Sequence, residues 1–162
     1  MASRPEAPLR AFRICKSIYP ILDGSGAARF PGRWNRLGQR VIYAAETFAG
    51  AMMEVLVHAN LGRLPRDQHA AEIAVPAALS IEEVAATALS GWDDASCEAS
   101  RAFGAAWLEE GRVGKRSIAL LVPSIVVHRE RNILLNQDHP RFAEIVASRP
   151  EPVAWDPRFF QA

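Results

Sequence analysis

The sequence predicts a single domain of the α+β class, in which a mixed β-sheet is flanked by helices. Two short apolar runs, VIYAA at 41–45 and SIALLV at 117–122, are typical of buried strands. Residues 96–110 instead carry apolar side chains at helical spacing. The predicted helices and strands do not alternate regularly, which favours α+β over a doubly wound parallel sheet. The length of 162 residues suits one domain with a proper core.

Composition and charge restrict the functional classes. The formal net charge of +1 argues against bulk electrostatic binding to nucleic acid or to an anionic membrane. No apolar run reaches the roughly 18 residues of a membrane-spanning helix, and the N-terminus lacks the apolar segment of a signal peptide. Cys15 and Cys97 lie far apart in sequence, so we expect reduced thiols in a cytoplasmic protein. The four histidines show no metal-ligand spacing, and no metal site is predicted.

The first half of the chain leads up to one long apolar helix. In order, the sequence predicts a mobile arm, a strand, a glycine-bounded loop and a second strand, at residues 1–9, 11–15, 32–38 and 41–45. Thr47 stands where a helix N-cap is favoured. It opens a predicted helix at 48–61, and Gly62 is in position to end it. Because this helix has no polar face, we expect it to be buried nearly all round.

The second half is predicted to supply the rest of the sheet. Strands are expected at 69–75, 80–84 and 117–122, a helix at 96–110, a short amphipathic element at 132–136, and closing strands at 143–148 and 152–155. Pro123 and Ser124 interrupt the central strand, which is expected to resume at 125–128.

Glu54 is the anomaly in the apolar helix, where it stands alone among aliphatic side chains. A buried carboxylate without partners is costly, so it should be paired, hydrogen-bonded or protonated. The loop just upstream offers three arginines as partners, Arg33, Arg36 and Arg40. Two interpretations stay open: a structural ion pair that pins the helix to the loop, or a functional carboxylate that faces a cationic cleft.

Taken one at a time, the other polar and aromatic residues favour structural roles. Ser124 has no GxSxG motif around it, so its hydroxyl is expected to satisfy the backbone at a strand end. Trp34 and Tyr43 are expected to be packing residues, with the Tyr43 hydroxyl hydrogen-bonded. His58 lies one turn after Glu54 and is expected to be buried and hydrogen-bonded. Neither a GxGxxG nor a GxxxxGK[ST] motif is present.

A series of short motifs gives a more specific indication. In order they are FRI at 12–14, GRWN at 32–35, VIY at 41–43, MEV at 53–55, GAAW at 104–107, VPS at 122–124, Asn132, NQDHP at 136–140 and DPR at 156–158. In this combination the chain resembles the RES-domain toxins, the toxin half of bacterial toxin–antitoxin pairs. The resemblance covers nearly the whole chain and implies a RES domain at residues 10–162.

The resemblance implies a fold and a chemistry. RES-domain toxins are similar in fold to ADP-ribosyltransferases, which implies a split or mixed β-sheet core. They consume NAD, either degrading it by hydrolysis or phosphorolysis or transferring ADP-ribose to a protein. By position, the family's glutamate is Glu54, its arginines are Arg13 and Arg33, and its aromatic residue is Tyr43. Arginines suit phosphate oxygens, Tyr43 could stack on nicotinamide, and Glu54 could stabilise positive charge on the ribose.

Three matters stay open at this stage. The family serine has two candidates, Ser124 in the VPS motif and Ser100 ahead of Gly104. The resemblance implies an Xre-like antitoxin that covers the NAD cleft, and an acceptor protein if ADP-ribose is transferred; direct binding to nucleic acid or membrane is not expected. The alternative from another class is a non-catalytic binding module with a structural Glu54–arginine cluster.

Overall fold

The protein has an α+β fold, which confirms the predicted class. The computed structural model describes residues 7–59 and 64–160, and within them one mixed sheet of eight strands is accompanied by three α-helices. The helices are α1 (Ser25–Arg29), α2 (Phe48–His58) and α3 (Glu98–Arg112). The strands are β1 (Leu9–Lys16), β2 (Val41–Ala45), β3 (Gln68–Val75), β4 (Ile81–Glu83), β5 (Ala119–Pro123), β6 (Arg131–Asn136), β7 (Val146–Ala147) and β8 (Glu151–Pro152).

The sheet is split between β1 and β2. The strand order is β4-β5-β6-β2-β1-β3-β7, with β8 also beside β3, and the β4–β5 pair is parallel while the other pairs are antiparallel. β1 pairs with β3 along its whole length, and β2 does so with β6. Between β1 and β2, however, the pairing is confined to Phe12 opposite Ala45. The two halves of the sheet therefore diverge from one point and leave a cleft between them.

Both faces of the sheet are buried, because successive residues of a strand point to opposite faces. In β6, Ile133 and Leu135 join the apolar cluster on one face, and Leu134 joins the cluster on the other. α3 covers this second face with the buried side chains of Trp107 and Leu108. Burial of this apolar surface holds the two layers together.

α2 differs from its prediction. Thr47 is its N-cap, as predicted, and accepts a hydrogen bond from the Gly50 N–H at 2.8 Å. The expected burial all round is wrong, because Met53 and Val57 are 41% and 56% exposed. The helix packs with one side on β1 and β2 and leaves the other side open at the cleft. The predicted buried position of His58 is wrong for the same reason, since this side chain is exposed. The helix also ends earlier than the predicted residue 61, because Ala59 is its C-cap and has an extended backbone. Gly62, the predicted end signal, lies outside the described residues.

Most other elements confirm their predictions, with two differences. Residues 125–128 form a turn instead of a strand, because the Ser124 hydroxyl accepts the N–H groups of Val126 and Val127 and bends the chain. The closing strands shrink to the short β7 and β8, with a 3₁₀ turn at Phe142–Glu144 before them. Of the predicted mobile arm at 1–9, Leu9 belongs to β1 instead. Residues 1–6 lie outside the described residues, so for them the arm stays a prediction. In the part of the chain that is described, no helix is long and apolar enough to span a bilayer.

Candidate active site

A cavity of about 1650 Å³ occupies the cleft between the two halves of the sheet. β1, β2, α2 and the loop around Gly32 all contribute to its walls. Four of the predicted site residues line it together: Arg13, Arg33, Tyr43 and Glu54. Its volume exceeds the roughly 300–1,000 Å³ of most small-molecule pockets. The cavity can therefore hold a ligand of dinucleotide size and still admit part of a second molecule.

Asn35 fixes the wall of the cavity at the glycine-bounded loop. It is 0% exposed, and its Oδ1 accepts from the Gly32 N–H and from the Tyr43 hydroxyl, both at 2.9 Å. The Tyr43 oxygen in turn accepts the Trp34 N–H at 3.0 Å. Burial raises the pKa of Tyr43, so the phenol keeps its proton. A Cβ on Gly32 would lie 2.7 Å from the Tyr43 oxygen, so only glycine permits this packing. Sequence reasoning missed Asn35, although the GRWN motif contains it.

α3 supports the same loop from behind. A Cβ on Gly104 would stand only 2.0 Å from the Trp34 carbonyl oxygen, so the helix lies directly on the loop backbone. Trp34 itself is buried and meets the Phe103 ring edge-on, which confirms its predicted packing role. The loop therefore presents Arg33 and Tyr43 to the cavity from a rigid base.

Glu54 is held by two neutral donors. Its Oε1 accepts from Asn132 Nδ2 at 2.7 Å and from Ser124 Oγ at 3.2 Å. The Ser124 oxygen also accepts the N–H groups of Val126 and Val127, at 3.2 and 2.9 Å. With its lone pairs occupied by these backbone donors, the hydroxyl has its proton left for Glu54. Both donors reach the same carboxylate oxygen, and no hydrogen bond to Oε2 occurs within residues 7–59 and 64–160.

The first of the two interpretations of Glu54, a structural ion pair with an arginine of the loop, does not hold, because Glu54 forms no ion pair within the described residues. Arg40 pairs instead with Asp138. Arg33 Nη1 donates to two main-chain carbonyls, Trp92 O at 2.9 Å and Asp94 O at 2.8 Å. Arg36 is exposed on the outer side of the loop. Arg33 thus bonds main-chain carbonyls and Arg40 bonds another carboxylate. The basis for a structural Glu54–arginine cluster is thereby removed.

Arg13 also holds a loop in place. Its Nη1 and Nη2 donate to Ile21 O at 2.5 Å and Asp23 O at 2.9 Å. Burial lowers the pKa of Arg13, but a guanidinium keeps its proton at any physiological pH. The side chain thus brings a fixed positive charge to the β1 wall of the cavity.

The two serine candidates occupy different places. Ser124 contacts the carboxylate of Glu54, as described above. Ser100 is fully buried in the first turn of α3, where its hydroxyl donates to Cys97 O at 3.2 Å, and it is not among the residues that line the cavity. The structure therefore brings Ser124 to Glu54 and leaves Ser100 in the packing of the helix. Asn132 was the partner that sequence reasoning left without a role, although it stands among the quoted motifs.

A split sheet with a fixed carboxylate on one wall of its cleft and guanidinium groups on the others defines an α+β protein with an enzyme-like site. The chain belongs to the RES domain family, whose model matches residues 10–156; the predicted resemblance is confirmed. It is 38% identical over 144 residues to the Prs ADP-ribosylating toxin of Sphingobium sp. (strain YBL2), covering 86% of this chain and 87% of that protein. It is 33% identical over 146 residues to the toxin Res of Pseudomonas putida (strain KT2440), covering 89% and 96%.

One solved structure shares the fold. A chain of the M. tuberculosis MbcT–MbcA toxin–antitoxin complex matches with a TM-score of 0.70 at 19% identity, covering 94% of this chain and 87% of that chain. At this level of identity the likeness shows the architecture, including the mixed sheet and its helices.

Proposed function

We propose that this protein is the toxin of a toxin–antitoxin pair and that it consumes NAD by cleaving the nicotinamide–ribose bond. The observation that carries the proposal is Glu54, a carboxylate fixed through one oxygen on the wall of a cleft lined by guanidinium groups. The names of the relatives support it, since one is an ADP-ribosylating toxin and another a toxin Res.

The cleft suits NAD in size and charge. At about 1650 Å³ it has room for a dinucleotide. Arg33 keeps Nη2 and Nε for a ligand, because its bonds to the loop carbonyls use Nη1 alone. Arg13 adds a second positive charge from β1. Paired, charge-assisted bonds from guanidinium groups are the usual way to hold a pyrophosphate.

Glu54 is proposed to act on the ribose. Cleavage of the glycosidic bond builds positive charge on the sugar, and a fixed carboxylate stabilises that charge in the transition state. Oε1 is held by Asn132 and Ser124, so Oε2 is the oxygen left for a ribose hydroxyl or for the reacting carbon. Ser124, taken as the family serine, would then orient the carboxylate. It is a poor nucleophile because its oxygen lone pairs already accept the N–H groups of Val126 and Val127.

Tyr43 is proposed to stack on the nicotinamide ring. Its hydroxyl is fully engaged with Asn35 and the Trp34 N–H. These bonds hold the ring in place at the wall of the cavity. An aromatic face attracts a cationic ring such as nicotinamide in NAD.

The partner is proposed to be an Xre-like antitoxin that covers the cleft. Apolar side chains stand in solvent among the residues that line the cavity, with Ile18, Phe30 and Val57 at 74%, 82% and 56% exposed. Exposed apolar groups around a cleft mark a surface that another molecule covers. The M. tuberculosis structure with the same fold is a toxin–antitoxin complex, which supports a protein partner here.

Mass spectrometry of NAD incubated with the purified protein tests the activity. Release of nicotinamide is expected. Free ADP-ribose would indicate hydrolysis, a phosphorylated ADP-ribose that appears only with added phosphate would indicate phosphorolysis, and ADP-ribose on a lysate protein would indicate transfer. If no nicotinamide appears under any of these conditions, the protein is a non-catalytic binding module instead.

Growth of the host gives a second test with a matched control. The wild-type gene expressed alone should stop growth, and the Glu54→Gln gene should not, because the substitution removes the charge while keeping the shape of the side chain. Equal arrest by both genes would separate toxicity from the proposed chemistry.

A further inference from the structure

Arg101 lies in the cleft without a role in the proposed chemistry. It stands in the first turn of α3, next to the buried Ser100, and its side chain lines the same cavity as Tyr43 and Glu54. Its Nε is buried and has no hydrogen-bond partner in the described part of the chain. Its one hydrogen bond there is long, from Nη2 to Gly32 O at 3.4 Å. A buried donor left unsatisfied is costly, so such a group is retained where a ligand completes it.

Arg33 lines the same cavity as Arg101. Both guanidinium groups act on the Tyr43 hydroxyl, where their charges oppose the larger effect of burial on the pKa of Tyr43. Neither of the two arginines forms an ion pair with a carboxylate in residues 7–59 and 64–160. Two like charges beside one phenol repel each other unless an anion lies between them.

We propose that Arg101 and Arg33 form an anion subsite that holds the pyrophosphate of NAD. The inference rests on the proposed function, because it takes the ligand of the cleft to be NAD. Arg33 is fixed by Trp92 O and Asp94 O at Nη1 and keeps its other nitrogens free for a ligand. Arg101 contributes Nη1, because its side-chain hydrogen bond within the described residues uses Nη2 alone. Two guanidinium groups that line one cavity can offer charge-assisted hydrogen bonds to the two phosphates of a pyrophosphate.

The subsite also follows from how α3 meets the loop. Gly104 lets the helix backbone touch the Trp34 carbonyl. This contact brings Arg101, one turn earlier on the same helix, up to Gly32 and the Tyr43 hydroxyl. The close packing of α3 on the loop therefore determines the positions of both Tyr43 and Arg101 in the cleft.

Calorimetry with non-reacting ligands tests the subsite. We expect Arg101→Gln to weaken binding of ADP-ribose and of ADP by about 10-fold or more. Adenosine, which has no phosphate, should bind wild type and variant alike. Arg101→Lys keeps the charge but not the fork, so it should also weaken ADP binding. Arg112→Gln is the matched control, because Arg112 lies at the far end of the same helix and pairs with Glu109 at the surface; it should leave all three affinities unchanged.

The outcomes separate this inference from the proposed function. If the wild-type protein binds neither ADP-ribose nor ADP and releases no nicotinamide, the proposed function fails. If the wild type binds ADP-ribose and both Arg101 variants bind it equally well, the subsite is wrong and the proposed function stands. Thermal melting gives a further check: removal of an unsatisfied buried cation should not lower the melting temperature. A lowered melting temperature with unchanged ADP affinity would make Arg101 a structural residue.

Discussion

Replacement of Asn132 by aspartate would turn the donor that holds Glu54 into a second carboxyl group. The two side chains are joined by a hydrogen bond of 2.7 Å from Asn132 Nδ2 to Glu54 Oε1. Two unit charges 2.7 Å apart repel by about 6 kcal/mol at an effective dielectric constant of about 20. Both residues are half-buried, so solvent weakens the repulsion. Half of it, about 3 kcal/mol, still equals about 2 pH units of proton binding.

The carboxyl pair therefore shares one proton in mild acid. That proton lets the new aspartic acid donate to Glu54 as the asparagine did, so Asn132→Asp should stay partly active in mild acid. The repulsion moves the loss of this proton about 2 pH units above that of a single carboxyl group, and activity should fall across that range as pH rises. The wild type has no such second carboxyl group and should not share this fall.

The assay is kcat/KM for nicotinamide release, measured from about pH 5 to pH 9, with circular dichroism at each pH to show that the variant stays folded. Asn132→Ala is the control, because it removes the donor without adding a charge. It should lose about 10-fold or more in kcat/KM at every pH. If the Asn132→Asp profile runs parallel to that of the wild type, Asn132 does not hold the reacting carboxylate.

Three further predictions concern the same cleft. Glu54→Gln should keep the fold and lose nicotinamide release by orders of magnitude; near-normal turnover in a folded variant would refute the role of Glu54. Arg33→Lys should weaken ADP-ribose binding by roughly 1–3 kcal/mol in calorimetry, because lysine cannot both bridge Trp92 O and Asp94 O and reach a phosphate; unchanged affinity would move the phosphate site elsewhere. NAD or a non-hydrolysable analogue should raise the apparent Kd of the toxin–antitoxin complex; independent binding of the two would place the antitoxin on a remote surface.

The local signals in the sequence predicted the elements around the cleft well. β2 runs from Val41 to Ala45, as the apolar run indicated, and Thr47 caps α2. Both depend on interactions within a few residues: side chains that favour a strand, and a hydroxyl that satisfies the first turn of a helix. Such preferences depend only on residues of the same segment, so a single sequence is sufficient to predict them.

The contacts of Glu54 could not be predicted in this way. Ser124 and Asn132 follow it by 70 and 78 residues. They come near only because β6 lies in the sheet between β5 and β2, the strand that precedes α2. Charge and sequence proximity favoured the arginines of the loop instead. Those arginines have main-chain carbonyls nearby, such as Trp92 O for Arg33, and buried carbonyls also need donors. The sequence shows how many charges are present but not which backbone groups use them.

α2 shows why an apolar helix is difficult to place from its sequence. An apolar surface can be buried by the protein's own core or by another molecule, and hydrophobicity alone does not distinguish the two. Here the core takes Gly50 and Ala51, and the side of α2 with Met53 and Val57 stays in solvent. Removal of exposed apolar groups from water lowers the free energy. The apolar side of α2, which was predicted to be buried and is exposed, is therefore an argument for a protein partner at the cleft. We therefore expect the antitoxin to contact α2 beside the cavity and to bury the apolar side that the fold leaves open.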